Sequence, residues 1–149
     1  MGNYLKVQGV QTVTNAIKSK GKAIEEGVKM NVEKYGAKIA AQAQSSASAI
    51  PATWAKIDIH HNPTQSGLSY IIQAGDSGSG EMAAYFEFGT GKSYLQMQGN
   101  YTPEMKRIAQ SYYKDGKGTI KAHPYLFPAY YKYRKEFIQS IKALVKKVV

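Results

Sequence analysis

The chain has 149 residues, no cysteine, and 20 Lys and Arg against 10 Asp and Glu, which gives a formal net charge of +10. This length suits one hydrophobic core, so we expect residues 1–149 to form a single domain, while the absence of cysteine excludes disulfides, thiol nucleophiles and cysteine-ligated metals. The charge favours an acidic partner, either DNA or an acidic protein surface. No segment has the ~20 consecutive apolar residues that span a bilayer, so we expect no membrane contact.

A long amphipathic helix is predicted near the N-terminus, because apolar residues recur with a helical period from residue 10 to about residue 49. The buried stripe should contain Val13, Ile17, Ile24, Val28, Val32, Tyr35 and Ile39. Gly21, Gly27 and Gly36 each weaken a helix by roughly 1 kcal/mol relative to Ala, so we expect a bend or break near one of them. Pro51 should end the helix, since it disfavours the helical conformation of the residue before it.

Two segments of alternating polarity follow the helix. Residues 54–60 place Ala55, Ile57 and Ile59 on one side, and residues 68–74 place Leu68, Tyr70 and Ile72 on one side. This period of two predicts a pair of half-buried strands. Residues 62–67, with their Asn, Pro, Ser and Gly, have the composition of a turn, so we predict an antiparallel hairpin.

Residues 82–90 concentrate three aromatic rings, one acid and one glycine. We expect the rings of Tyr85, Phe86 and Phe88 to be buried, with Phe88 in one core cluster with Leu126. Glu87 lies among these rings, where an unpaired carboxylate would be costly. We therefore predict that backbone N–H groups or a cation hold it, with Arg134 and Lys121 as the candidate cations. Gly89 and Thr90 should end the segment, because Gly tolerates a positive φ.

Two further helices are predicted in the C-terminal third. Thr102 can cap a helix whose first residue is Pro103, and this short helix should reach about Tyr113. Residues 123–129 then precede a final amphipathic helix, whose apolar face includes Tyr130, Phe137, Ile141 and Leu144. The sequence of elements predicts an α+β fold.

Three short motifs point to chemistry, and each is incomplete. Residues 88–93 end like a phosphate-binding loop, but Phe86 stands where the pattern requires glycine. Residues 75–78 have the Gly-Asp-Ser-Gly sequence of a serine nucleophile turn, without an identifiable base or oxyanion hole. His60 and His61 would point to opposite faces of a strand and cannot easily bind one metal. We therefore expect no catalytic residue, no cofactor and no metal site, and no enzymatic activity.

Tyrosines and lysines alternate in the C-terminal third of the chain. The tyrosines are Tyr112, Tyr113, Tyr125, Tyr130, Tyr131 and Tyr133. Such rings can stack on nucleic-acid bases, but tyrosine is equally favoured at protein interfaces. A small basic DNA-binding protein is therefore one hypothesis, and a protein completed by contact with its neighbours is the other.

Two segments resemble the neck or tail-completion proteins of long-tailed bacteriophages. They are residues 84–90, Ala-Tyr-Phe-Glu-Phe-Gly-Thr, and residues 123–129, His-Pro-Tyr-Leu-Phe-Pro-Ala. The matching signature residues are Tyr85, Phe86, Glu87, Phe88, Gly89, Thr90, Pro124, Tyr125, Leu126, Pro128 and Ala129. In that family a long helix and a small antiparallel sheet precede these segments, in the order predicted here. The family's Pro-x-x-Thr-Gly-x-Leu segment is replaced by residues 51–54, Pro-Ala-Thr-Trp, without the glycine.

The resemblance implies an α+β fold with a long N-terminal helix, a small antiparallel sheet and a C-terminal amphipathic helix packed on it. It implies a structural virion protein of the neck, which completes or terminates the tail and joins it to the head. The expected assembly is a homo-oligomeric ring, taken as hexameric, in contact with head-closure, tail-terminator or tail-tube subunits. DNA would pass through the axial channel only as cargo. The protein would lie in the virion, and in the host cytoplasm during assembly.

Overall fold

The computed structural model of the chain describes residues 21–54, 56–75, 81–90, 102–111 and 117–148. This part of the chain forms four helices and two strands: α1 (Lys22–Ala47), β1 (Asp58–Pro63), β2 (Tyr70–Gly75), α2 (Glu81–Phe88), α3 (Pro103–Ser111) and α4 (Leu126–Val148). The fold is α+β, as predicted. The long helix α1 lies against the C-terminal helix α4, and the two strands form one antiparallel sheet.

Helix α1 follows the predicted period, with Ile24, Val28, Val32, Tyr35 and Ile39 all buried. It begins directly after Gly21, whose φ of 107° is not helical. The helix continues without interruption through Gly27 and Gly36, so the break expected near one of the three glycines falls at Gly21, where the described helix begins. It ends at Ala47, before Pro51. The predicted turns between residues 10 and 20 lie outside the described residues.

Gly36 remains in the helix because packing requires a small residue there. A Cβ at this position would clash with the ring of Tyr70 on β2. The missing side chain therefore lets the sheet approach the helix backbone closely, and this packing offsets the cost of glycine in a helix. Further along α1, Gln44 links the helix to the chain around the start of β1. Its amide donates to Ile57 O at 3.4 Å and accepts from Ile59 N at 3.0 Å.

The hairpin exists, but both strands begin later than predicted. In the ladder Asp58 pairs with Gly75 and Pro63 pairs with Tyr70. Residues 51–54 form a turn instead of the start of a strand, because Trp54 N donates to Pro51 O at 2.8 Å. The connecting turn is correspondingly displaced to residues 64–69, where Thr64 N donates to Ser69 O at 2.9 Å. The alternation identified the strands, whereas hydrogen bonds in the flanking turns set their boundaries.

The buried residues form two clusters along α1. The larger cluster joins the second half of α1 to the sheet, α2, α3 and the first turn of α4, and it contains both Phe88 and Leu126, as predicted. The smaller cluster lies between the first half of α1 and the second half of α4, where Ile24, Val28, Val32 and Ile141 meet. Together the two clusters hold α4 antiparallel to α1 over most of its length.

Helix α3 begins as the sequence predicted. Thr102 Oγ1 accepts a hydrogen bond from Met105 N at 3.3 Å, so Thr102 caps the helix that Pro103 opens. The helix ends at Ser111, and the predicted extension to Tyr113 lies outside the described residues. None of the described helices has the length and apolar character needed to cross a bilayer.

Candidate functional site

The two signature segments meet at the start of α4, and we call this contact the signature junction (residues 85–90 and 123–129). Helix α2 ends at Phe88, and Gly89 then adopts a φ of 74°. A Cβ on Gly89 would lie 3.0 Å from Ala122 N, so both the backbone conformation and the available space require glycine. The turn directs Thr90 towards the segment that leads into α4.

Hydrogen bonds then join the end of the first segment to residues 120–123, which lead into the second. Thr90 N donates to Ile120 O at 3.0 Å, and Ile120 N donates to Thr90 Oγ1 at 3.2 Å. Three residues further on, His123 N donates to Phe86 O at 2.6 Å. These bonds bring the end of α2 beside residues 120–123, just before α4 begins.

Glu87 is the centre of the junction. Its side chain has no exposed surface. Oε2 accepts hydrogen bonds from Tyr125 N at 2.8 Å and Leu126 N at 2.9 Å, and Oε1 accepts one from Phe127 N at 3.0 Å. These donors stand at the start of α4, where backbone N–H groups have no acceptor within the helix. Glu87 therefore caps a helix that begins 39 residues later in the chain.

This arrangement confirms the prediction that backbone N–H groups hold Glu87. The alternative partners, Arg134 and Lys121, are both exposed, and neither forms an ion pair with Glu87 among the described residues. Backbone N–H groups are the partners of Glu87 because its carboxylate lies at the N-terminus of α4. The N-terminus of a helix supplies several donors and a partial positive charge to a buried carboxylate without desolvating a second charged side chain.

Two opposing effects act on the ionisation of Glu87. Burial raises the pKa of its carboxyl group from 4.5 to about 7, because the charged form loses its hydration. The hydrogen bonds from Leu126, Tyr125 and Phe127 act in the opposite direction, since they stabilise the carboxylate. Desolvation is the larger effect, so the group titrates near neutral pH.

Aromatic side chains complete the junction around the carboxylate. Tyr125 is fully buried, and its hydroxyl donates to Ala83 O on α2 at 2.7 Å. The rings of Phe88 and Phe127 stack with their centroids 5.6 Å apart. Both contacts hold α2 against the first turn of α4, so the aromatic residues of the two signatures support the geometry of the cap.

The signature residues differ in how far they are buried. Most are buried: Phe86, Glu87, Phe88, Gly89, Thr90, Tyr125, Leu126 and Ala129. Tyr85 and Pro124 are half-buried, and Pro128 is exposed. The expectation that Tyr85 is buried with the two phenylalanines was therefore only partly right, since Tyr85 is half-buried.

The start of α4 also differs from the prediction, which placed it after residue 129. The helix begins at Leu126, so the signature residues Leu126, Pro128 and Ala129 lie in its first turn. Pro128 is compatible with this position, because the first N–H groups of a helix have no partner within it. The residues just before Leu126 include no Ser, Thr, Asp or Asn to signal a local cap. The capping side chain comes from Glu87 instead.

Trp54 lies on the surface over the junction and is 58% exposed. Its ring stacks on Phe86, with centroids 6.4 Å apart and an interplanar angle of 11°. It also makes an edge contact with the ring of His123 at 5.9 Å. The alternating pattern predicted Trp54 as part of a strand and gave no sign that it belongs to this site. The available signal was a large aromatic side chain in a turn that follows Pro51.

The described residues contain few groups arranged for catalysis. The Glu87 carboxylate contacts backbone donors, and no group of three His, Cys, Asp or Glu side chains in these parts of the chain could hold a metal ion. His60 and His61 are exposed on β1, and His61 Nδ1 lies 2.7 Å from Tyr70 Oη. Residues 76–80 and 91–101, which contain most of the serine-turn and phosphate-loop motifs, lie outside the described residues.

The best-defined candidate site is thus the signature junction together with Trp54 on its surface. In comparisons with known proteins, the chain matches no family model, no curated protein and no solved structure. The chemistry of the junction is that of a structural cap: a buried acid binds backbone N–H groups, and an exposed aromatic side chain covers it.

Proposed function

We propose that this chain is a structural virion protein of the neck of a long-tailed bacteriophage, which completes or terminates the tail and joins it to the head as a ring of subunits. The resemblance of two separate segments to that family is the basis of the proposal. The observation that carries it is the contact between them, since Glu87 of the first binds Tyr125, Leu126 and Phe127 of the second. Because the residues of the two segments bind each other, we expect the two sequence patterns to occur together in one chain.

The buried position of Glu87 supports a structural role. Both of its oxygens accept hydrogen bonds from backbone N–H groups, and the side chain is inaccessible to solvent. A catalytic acid has to reach its substrate, whereas this carboxylate holds α4 in a fixed position relative to α2. A rigid connection of this kind is what an assembly subunit needs in order to present the same surfaces in every copy.

Exposed apolar side chains support the assembly part of the proposal. Met30 is 72% exposed in the middle of α1, and Trp54 is 58% exposed over the signature junction. The two lie on different elements, so they can belong to two different contact surfaces. A ring of identical subunits requires two different complementary surfaces on each copy, and tryptophan is enriched at the energetic centres of protein interfaces.

Deleting the gene from the phage that carries it tests this proposal. Electron microscopy of the lysate should show DNA-filled heads and separate tails that fail to join. Supplying the wild-type protein from a plasmid should restore joined, infectious particles. Normal particles in the deletion lysate would contradict the structural role and would favour a small basic DNA-binding protein instead.

Two variants supplied from the same plasmid locate the interface. Trp54→Ala removes the exposed ring over the junction and should restore joined particles at least tenfold less well than the wild type. Gln65→Ala changes an exposed residue in the hairpin turn and should restore them fully. Thermal unfolding of the two purified variants, followed by circular dichroism, shows whether a variant that fails to restore particles is still folded. Full restoration by a folded Trp54→Ala protein would remove this surface from the proposal.

A further inference from the structure

Three lysines converge on one side of the contact between α1 and α4, and we call them the lysine patch (Lys34, Lys38 and Lys132). The Lys34 and Lys38 ammonium groups lie 5.5 and 5.2 Å from the centroid of the Tyr35 ring. Those of Lys38 and Lys132 lie 5.6 and 5.2 Å from the centroid of Tyr133. The two tyrosine rings thus gather charges from two helices into one surface.

Within the described parts of the chain, no ion pair joins a carboxylate to this patch. Among the described residues the ion pairs are Lys29 with Glu25 and Lys56 with Asp58, and neither includes a patch lysine. Lys132 donates to the neutral amide oxygen of Gln42 at 3.0 Å. Glu136 is exposed one turn further along α4, but no ion pair joins it to the patch. The patch therefore keeps a net positive charge.

We propose that the lysine patch binds the phosphate backbone of duplex DNA without reading its sequence. Lys34 and Lys38 are one helical turn apart, about 6 Å along the axis of α1. One DNA strand carries a phosphate about every 3.4 Å along the duplex axis, so one helical turn aligned with the duplex spans nearly two phosphate steps, and the two long lysine side chains can each reach a phosphate of that strand. The excess of basic residues over acidic residues in the whole chain adds a general attraction for a polyanion.

The aromatic rings favour a duplex over a single strand. Binding of single strands relies on bases that stack on exposed aromatic faces. Here Tyr35 is only 8% exposed and contacts Phe137 edge-on at 5.7 Å. Ammonium groups already lie over Tyr35 and Tyr133. The rings therefore position lysines, and they leave little aromatic surface for bases.

The composition of the patch also favours DNA over an acidic protein. Stable protein interfaces usually bury an apolar centre inside a polar rim. The centre of this patch consists of two tyrosine rings covered by lysines, and the exposed ring of Trp54 lies elsewhere, stacked on Phe86. This inference goes beyond the proposed neck function and does not depend on it, because phosphate binding by the isolated chain would survive failure of the assembly role.

The test measures binding of the purified full chain to a 20-base-pair duplex of mixed sequence by fluorescence anisotropy between 50 and 200 mM salt. Each phosphate contact contributes a slope of about −0.9 to log K against log salt, so the three lysines together contribute about −2.7. Replacing all three by glutamine should make the measured slope shallower by about that amount. Replacing all three by arginine should preserve it, since arginine keeps the charge.

A control variant distinguishes DNA binding by the patch from a general effect of net charge. Lys22, Lys142 and Lys146 are exposed lysines on the same two helices but outside the patch, and their replacement by glutamine removes the same charge. This variant should bind with a slope close to that of the wild type. An equal loss of slope in the two glutamine variants would overturn the proposal, as would absence of wild-type binding at 50 mM salt. Tighter binding to polyglutamate of matched charge would overturn it in favour of an acidic protein partner.

Discussion

Glu87 is both a fully buried acid and the N-terminal cap of a helix that is distant in the sequence. The carboxylate is buried with no exposed surface, and it satisfies N–H groups at the start of a helix from a distant part of the sequence. A cap from a neighbouring residue would hold only its own helix. This cap holds α4 against α2, so the local stability of the helix and the packing of the two signature segments depend on the same side chain.

Removing this carboxylate should destabilise the protein strongly. Glu87→Ala leaves the N–H groups of Tyr125, Leu126 and Phe127 buried without their acceptor, at roughly 1 to 3 kcal/mol for each unsatisfied group. We expect a loss of at least about 3 kcal/mol in the free energy of unfolding, measured by urea denaturation. Glu87→Gln keeps one acceptor oxygen and should lose less. The control Glu136→Gln changes an exposed acid on α4 and should shift the stability by less than about 0.5 kcal/mol.

Stability should also depend on pH through Glu87. Its pKa in the folded protein is about 7, above the ordinary value of 4.5, so between these values the folded protein holds a proton that the unfolded chain has released. The free energy of unfolding should therefore fall as pH rises from about 4.5 to about 7, by about 3 kcal/mol for this shift. Below and above that window the contribution is constant.

The measurement compares wild type with Glu87→Gln in urea titrations at several pH values from 4 to 8. Subtracting the two curves cancels the other titrating groups, which both proteins share. The difference should decline across the window because glutamine does not titrate. A difference that rises with pH would mean that the field of the helix N-terminus outweighs desolvation, and it would contradict the pKa assigned to this carboxyl group.

At the scale of elements, the contact between α1 and the sheet depends on close approach. The ring of Tyr70 occupies the space beside the backbone of Gly36, where a β-carbon would stand. Glycine lowers the intrinsic stability of the helix, and the packing of β2 against it compensates. The absence of a side chain at Gly36 therefore allows β2 to pack closely against α1.

Gly36→Ala tests this contact, because helix propensity and packing predict opposite results. Propensity alone predicts stabilisation by about 1 kcal/mol, whereas the clash with Tyr70 should cost about 1 to 3 kcal/mol. We expect net destabilisation in thermal or urea unfolding. In a Tyr70→Ala background the same substitution should become neutral or stabilising. Stabilisation by Gly36→Ala in the wild-type background would show that the ring and the helix are not in close contact.

The sequence predicted those elements whose signals come from residues close together in the chain. The period of α1, the alternation of the hairpin and the cap of α3 at Thr102 are carried by neighbouring residues, and these elements were predicted. The start of α4 was misplaced because its cap comes from Glu87, across 39 residues of chain. Trp54 was misassigned because apolar alternation alone does not distinguish a strand from an exposed ring stacked on Phe86.

At the scale of the whole molecule, the described residues form one framework with two different surfaces. The signature junction and α1 build the buried part, and Trp54 stands exposed over the junction. The lysine patch forms a separate, charged surface between α1 and α4. The proposed neck role requires the apolar surface for contact with other subunits, while the charged surface remains available for DNA.

The most direct test of the neck assignment is to locate the protein in purified phage particles. Mass spectrometry should detect the chain in particles freed of lysate proteins by density gradient. Cryo-electron microscopy of their necks should then show a ring between head and tail into which copies of this α+β fold fit, with Trp54 at a contact between subunits. Particles that are infectious but lack the chain, or a neck map whose density is fully explained by other proteins, would contradict the proposed function.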